Sequence, residues 1–272
     1  MLERSAQLPD ALSAYERALK QNDRSPSLYV RLGATYVKLG QSDKAFESFH
    51  EALSLDPSHP DALRWMAMLQ TSQGRINEAV RTYEQLSAQD PPDRFVLSTL
   101  ADLYVLQGNT DGALALYERL IREFGPSHQL HFNRGVLLGR LGRYDEALGE
   151  LSRALELEPE SVEIRMALGL TFELAGRPDE GMAHYDNAIR LDPLNPRLHL
   201  LAARAAASHQ RTAQAIEYYE TALDLSPTEA EAIRGLVHLW ITDRRFDLAQ
   251  KLLGGKLAAY GPSADLYLLV GM

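Results

Sequence analysis

The stretch that decides the fold begins Leu32-Gly33-Ala34-Thr35-Tyr36. It passes Gly40, continues as Ala45-Phe46-Glu47-Ser48-Phe49-His50-Glu51-Ala52 and ends at Asp56-Pro57. Steps of 34 residues from Leu32-Gly33 land on Met66-Ala67, Leu100-Ala101, Arg134-Gly135, Leu168-Gly169, Ala202-Ala203, Leu236-Val237 and Val270-Gly271. Steps from Ala11 land on Ala45, Ala79, Ala113, Ala147, Gly181, Ala215 and Ala249, all small. A third column reads Tyr15, Phe49, Tyr83, Tyr117, Leu151, Tyr185, Tyr219 and Leu253. A fourth holds Pro57, Pro91, Pro159, Pro193 and Pro227, with Asp23, Gly125 and Gly261 as exceptions. Four columns in register, with no insertion to break the phase, mark an internal repeat.

Each column has a physical reading. Gly33 and Ala45 flank a turn at Gly40, and the same place holds Gly74, Gly108, Gly142 and Gly176. Glycine past a helix end accepts the left-handed conformation that stops the helix, so each repeat is expected to be helix, tight turn, helix. Small residues fit where the two helices cross, and the Tyr/Phe column fills the gap between one pair and the next. Asp43, Asn77, Asp111, Asp145, Asp179 and Asp247 follow the turn. There they can cap free N–H groups or favour the positive helix end. The proline column ends the second helix, because proline disfavours helix in the residue before it.

The chain has 272 residues, 37 acidic against 28 Lys plus Arg, a formal net charge of −9 and no cysteine. This balance argues against disorder, and no apolar run approaches the ~20 residues of a membrane span. A chain without cysteine forms no disulfide scaffold, thiolate zinc site or thiol nucleophile. An acidic chain is a poor bulk binder of nucleic acid. Met1-Leu2-Glu3-Arg4-Ser5 lacks the apolar core of a secretory signal. The expectation is therefore a cytoplasmic protein, or a periplasmic one if an upstream signal was removed, and the usage of Ala, Leu and Arg suggests a bacterial source.

These columns resemble the tetratricopeptide repeat. Gly142-Arg143-Tyr144-Asp145-Glu146-Ala147 and Ala188-Ile189-Arg190-Leu191-Asp192-Pro193 match its pattern as closely as the opening stretch does. The resemblance covers essentially the whole chain and implies an all-α, right-handed superhelical solenoid of antiparallel helix pairs. The phase divides it into a partial repeat, 1–25, and seven units: 26–59, 60–93, 94–127, 128–161, 162–195, 196–229 and 230–263. The remainder, 264–272, reads as the first helix of a further, truncated repeat. It is apolar where solenoids carry a polar cap. The expectation is a segment of a longer repeat protein or an end that pairs with something, with a crude cap as the alternative. Toward that end the array weakens: Gln210 and Arg244 stand in the turn column, Lys256 in an apolar one, and Gly254-Gly255 is expected to interrupt a second helix.

Catalytic signatures are missing: no Gly-x-Ser-x-Gly, no His-Glu-x-x-His, no phosphate loop and no dinucleotide fingerprint. His128 and His131 have helical spacing for a metal but lack a third ligand, so neither metal nor cofactor is expected, and His184 and His199 read as surface residues. Glu156/Glu158 and Glu229/Glu231 read as solvated helix ends rather than catalytic dyads.

The resemblance implies a concave groove lined by residues two, five, nine and twelve of each repeat. That places Arg64, Met68, Phe95, Asp102, Val105, Phe132, Val136, Met166, Leu170 and Leu200 on a peptide-binding floor. A basic cluster of Arg197, Arg204, Arg234 and His238 follows as a candidate anion contact. An apolar floor favours an amphipathic helix or extended segment laid along it, although several of these residues could instead pack against neighbouring helices. The Lys–Asn–Arg clamp of chaperone-binding relatives is missing, and Asn133 alone is no asparagine ladder of the kind seen in similar glycosyltransferases. The expected function is a non-catalytic scaffold binding a protein or peptide, without nucleic acid or a membrane span. The alternatives are the recruiting arm of a larger enzyme or of a bacterial secretion or exopolysaccharide export machine, and self-association through open repeat ends.

Overall fold

The structure, a computed structural model, describes residues 2–21, 24–89 and 91–260. The expected helix over 264–272, with Gly261, Val270 and Gly271, lies outside them, as does Asp23. Among the described residues every regular element is an α-helix. The first seven are α1 (Leu2–Lys20), α2 (Pro26–Lys38), α3 (Ser42–Leu55), α4 (Pro60–Ser72), α5 (Ile76–Ser87), α6 (Arg94–Gln107) and α7 (Thr110–Phe124). They belong to one compact unit, Met1–Pro126. The second unit, Ser127–Met272, holds α8 (His128–Arg140), α9 (Tyr144–Leu157), α10 (Val162–Leu174), α11 (Pro178–Leu191), α12 (Pro196–Ser208), α13 (Thr212–Leu225), α14 (Ala230–Thr242) and α15 (Phe246–Tyr260). Within each unit the helices pack in consecutive hairpins, α2 on α3 through α6 on α7, and α8 on α9 through α14 on α15.

The turn column ends the first helix of each hairpin. Gly40, Gly74, Gly108, Gly142 and Gly176 have φ between 71° and 75°. The next residue's N–H then reaches five residues back: Gln41 to Tyr36 O at 2.9 Å, Arg143 to Leu138 O at 3.0 Å and Arg245 to Trp240 O at 2.7 Å. That bond satisfies a carbonyl the helix end would leave free. Gln210 and Arg244 make the same turn with a φ of 60°, so the geometry persists where glycine does not.

The acidic column acts through the helix dipole rather than by capping. Asp43, Asp111, Asp145 and Asp179 lie in the first turn of their helices. The residues at the cap, Gln41, Arg75, Arg143, Arg177 and Arg211, accept no side-chain cap hydrogen bond. Arg75 and Arg177 instead form two-pronged pairs with Glu78 and Glu180, at 2.5–2.9 Å, and lie over the Phe46 and Phe172 rings at 4.6 and 4.7 Å.

Small and aromatic columns interlock between hairpins. Phe49 is fully buried. It fits against Gly33 of its own first helix and stacks on Trp65 of the next, with centroids 6.0 Å apart. Tyr219 presses likewise on Gly235 of the following first helix. Ala45, Ala79, Ala113, Ala147 and Ala215 are at 0% exposure. Contrary to the sequence expectation, Gly254-Gly255 does not interrupt α15, which runs through both. Lys256 there reaches Pro227 O at 2.6 Å, so its ammonium finds a carbonyl in place of a core.

A polar seam crosses the second unit. The apolar pair of buried Leu97 and partly buried Leu116 becomes His131/Glu150, Arg165/His184 and His199/Tyr218 in the three following repeats. Glu150 is 7% exposed and meets His131 Nδ1 at 2.7 Å, Arg153 at 3.0 Å and Arg134 at 3.2 Å. His199, expected on the surface, is 7% exposed because its Nε2 donates to Pro193 O at 2.9 Å. Arg165 donates to the equivalent carbonyl of Pro159 at 2.8 Å. His184 is half-buried, stacked on Phe172 with centroids 5.3 Å apart. The buried side-chain nitrogens that lack a partner among the described residues all lie here: Arg134 Nε, Arg165 Nε, His184 Nδ1 and His199 Nδ1.

Candidate interaction face

Helices α4, α6 and α10 each keep exposed side chains on one stripe. On α6, Val96, Leu97, Leu100, Ala101 and Leu103 are buried. Phe95, Ser98, Asp102 and Val105, at spacings of three and four, share the opposite face. Phe95 is 51% exposed and Val105 half-buried. The Asp93 carboxylate caps α6, accepting from Phe95 N at 2.8 Å. It also pairs with Arg64 of α4 at 2.6 Å. These donors hold its pKa down despite its partial burial. Beside Arg64, Met68 is 41% exposed. An open cleft of about 510 Å³, lined by Pro60, Arg64, Asp93 and Val96 among others, adjoins this pair.

Asp102 accepts a long hydrogen bond, 3.4 Å, from the Tyr117 hydroxyl. Partial desolvation pushes its pKa up, against the effect of that bond. Its counterpart in the second unit is Glu173, which accepts from the Tyr185 hydroxyl at 3.1 Å and is raised by the same cause. The aromatic column therefore does more than fill gaps. At these two positions the ring packs in the core while its buried hydroxyl donates to a carboxylate on the first helix.

In the second unit the expected floor splits in two. Leu170 is 45% exposed and Met166 half-buried on the same face of α10. Phe132 and Val136 pack against the core around Leu148, Leu151, Ile164 and Leu168. Leu200 packs against the core around Tyr185, Ala203 and Tyr219. These three are partly buried. Arg204 pairs with Glu231 at 3.3 Å, whereas Arg197, Arg234 and His238 are exposed. Sequence reasoning missed Asp93 and the tyrosine hydroxyls. An Asp just before a helical run is a readable cap signal, but nothing in the sequence says where a hydroxyl emerges.

His131 is engaged by Glu150 and His128 is exposed. Among the described residues no group of three or more His, Asp or Glu is placed to hold a metal. Among the same residues no helix is long and apolar enough to cross a membrane.

Solved structures with this architecture include a tetratricopeptide repeat protein from Parabacteroides merdae ATCC 43184. It is 20% identical, with 90% of this chain and 97% of that one covered and a TM-score of 0.62. YrrB, another such protein, is 22% identical over 69% of this chain and 97% of its own, with a TM-score of 0.56. MamA from Desulfovibrio magneticus RS-1 is 17% identical over 64% of this chain and 97% of its own, with a TM-score of 0.58. Likeness at these identities concerns the fold. No curated protein matches the chain in sequence. Two tetratricopeptide repeat profiles match it, one over residues 2–60, 98–151, 132–196 and 175–230, the other over 42–98 and 206–270. With its repeat columns, its hairpins and these matches in agreement, the chain belongs to the tetratricopeptide repeat family.

Proposed function

We propose that this chain is a non-catalytic scaffold that takes up a segment of another protein on the solvent stripes of its first helices. The observation that carries this reading is the exposure of large apolar side chains at stripe positions: Met68 and Phe95 in the first unit, Leu170 and Ile241 in the second. Within each unit, exposed apolar side chains favour a partner, and a helix stripe suits an extended or helical segment. YrrB is described as having an unusual peptide-binding site, which makes a peptide a reasonable first ligand to try here.

The test compares the native chain with Phe95→Asp and with Leu170→Asp as baits, reading captured proteins by mass spectrometry. Both side chains are exposed, so circular dichroism should stay helical. A protein captured by the native chain and lost with either variant supports the reading. Identical captures by all three overturn it. Phe132→Asp is a poor probe, because Phe132 packs against the core.

A further inference from the structure

The first unit's stripe carries an imbalance of charge. Its cation, Arg64, is already taken by Asp93 at 2.6 Å. Asp102 stands on the same stripe with the Tyr117 hydroxyl as its hydrogen-bond donor, and no cation pairs with it among the described residues. Asp102 is exposed, so its charge is open to a partner laid on the stripe. Seven residues before it on the same helix face, Phe95 is 51% exposed. Seven residues of α-helix rise about 10 Å, and three residues of polyproline II chain span about 9 Å and return the side chain to the same face.

We infer that the first unit's stripe receives a segment of another protein in polyproline II conformation, carrying Lys or Arg three residues from a large apolar side chain, the apolar group on Phe95 and the cation on Asp102. The inference rests on the docking reading above and names the chemistry of its partner. The Tyr117 hydroxyl donates to the carboxylate, and the cation completes a charge-assisted hydrogen bond that strengthens as the segment covers it. Met68 and Val105 flank the contact. An acidic segment would meet Asp102 with like charge.

The experiment selects displayed random 12-residue peptides on the full chain. It then measures the selected peptides by fluorescence anisotropy against the native chain, Phe95→Ser, Asp102→Asn and Asp102→Lys. Selected sequences should carry Lys or Arg three residues from an apolar residue. Asp102→Asn should weaken them at least about tenfold, as loss of a hydrogen bond between charged groups does. Asp102→Lys should abolish binding, and replacing the peptide's cation with Glu should restore it. Peptides that depend on Phe95 but carry no cation at that spacing, or ignore Asp102→Asn, overturn this inference and leave the docking reading standing. If no peptide is selected, or the selected ones ignore both positions, both fail. If Asp102→Asn instead changes the oligomeric state in light scattering, the stripe's occupant is a second copy of the chain and the inference fails.

Discussion

A missing Cβ at Gly169 is what lets α10 and α11 close. A Cβ built there would sit 2.4 Å from Tyr185 Cε1, inside a ring at 0% exposure. Gly149, mid-helix in α9, would meet nothing within 4 Å. The same substitution should therefore act with opposite signs. Gly169→Ala should lower stability by ~1–3 kcal/mol through overpacking, and Gly149→Ala should raise it by ~0.5–1 kcal/mol through helix propensity. Chemical denaturation of both variants checks this, and two shifts of the same sign would refute the packing account. Gly169 was legible as a crossing residue because it recurs in phase with Gly33 and Gly135. Gln210 and Arg244 were legible only as exceptions, since it takes the backbone to show that they keep a φ of 60°. The hydroxyls of Tyr117 and Tyr185 were not legible, because the column reads as aromatic and its oxygen depends on which gap the ring threads.

Between helices, the polar seam shows what a repeating pattern hides. Repeat units tolerate a changed pair if both halves change together, and pairing across a hairpin joins residues 19 apart, as His131 and Glu150 are. Glu150→Leu alone should cost about 3–5 kcal/mol, because it strands Arg134 and His131 in a buried place. Replacing all three, as His131→Leu, Arg134→Leu and Glu150→Leu, reproduces Leu97, Leu100 and Leu116 of the preceding repeat. That triple variant should be neutral or more stable than the native chain by ~1–4 kcal/mol. Thermal melts of the single and triple variants decide it: a triple variant as weak as the single would show that the network, not its completeness, stabilises the hairpin.

His184 gives the same seam a pH dependence. Burial and then Arg165 lower its pKa below 6.5, Glu180 opposes them, and Phe172 covers its ring. The unfolded chain thus binds this proton more readily than the folded one, so acid favours unfolding. The contribution is complete above pH 6.5 and is lost as pH falls from there through the lowered folded value. His184→Phe should keep the stack and shrink the drop in Tm between neutral and mildly acidic solution. An unchanged drop would place the acid sensitivity elsewhere.

At the scale of the whole chain, stability in a repeat protein is close to a sum of local and neighbouring terms, so it can vary along one molecule. This explains why the fold was readable and the partner was not. Packing residues must recur in every unit, whereas Phe95 and Asp102 occur once, at positions the repeat leaves free to vary. It also locates the weak end of the second unit. α15 carries Gly254 and Gly255 in its interior, with open space where a Cβ would stand. Lys256 occupies the column that holds Ala154, Ala188 and Ala222, each at 0% exposure. Two interior glycines cost about 2 kcal/mol relative to alanine, which corresponds to roughly a 30-fold change in an opening equilibrium. Native-state hydrogen exchange should therefore find the amides of α15 opening at least that much more readily than those of α8–α11. Gly254→Ala with Gly255→Ala should close most of the gap. Equal protection of α15 and α9 in the native chain would mean that the contacts of α15 outweigh its backbone, and that local propensity does not set the order in which this unit opens.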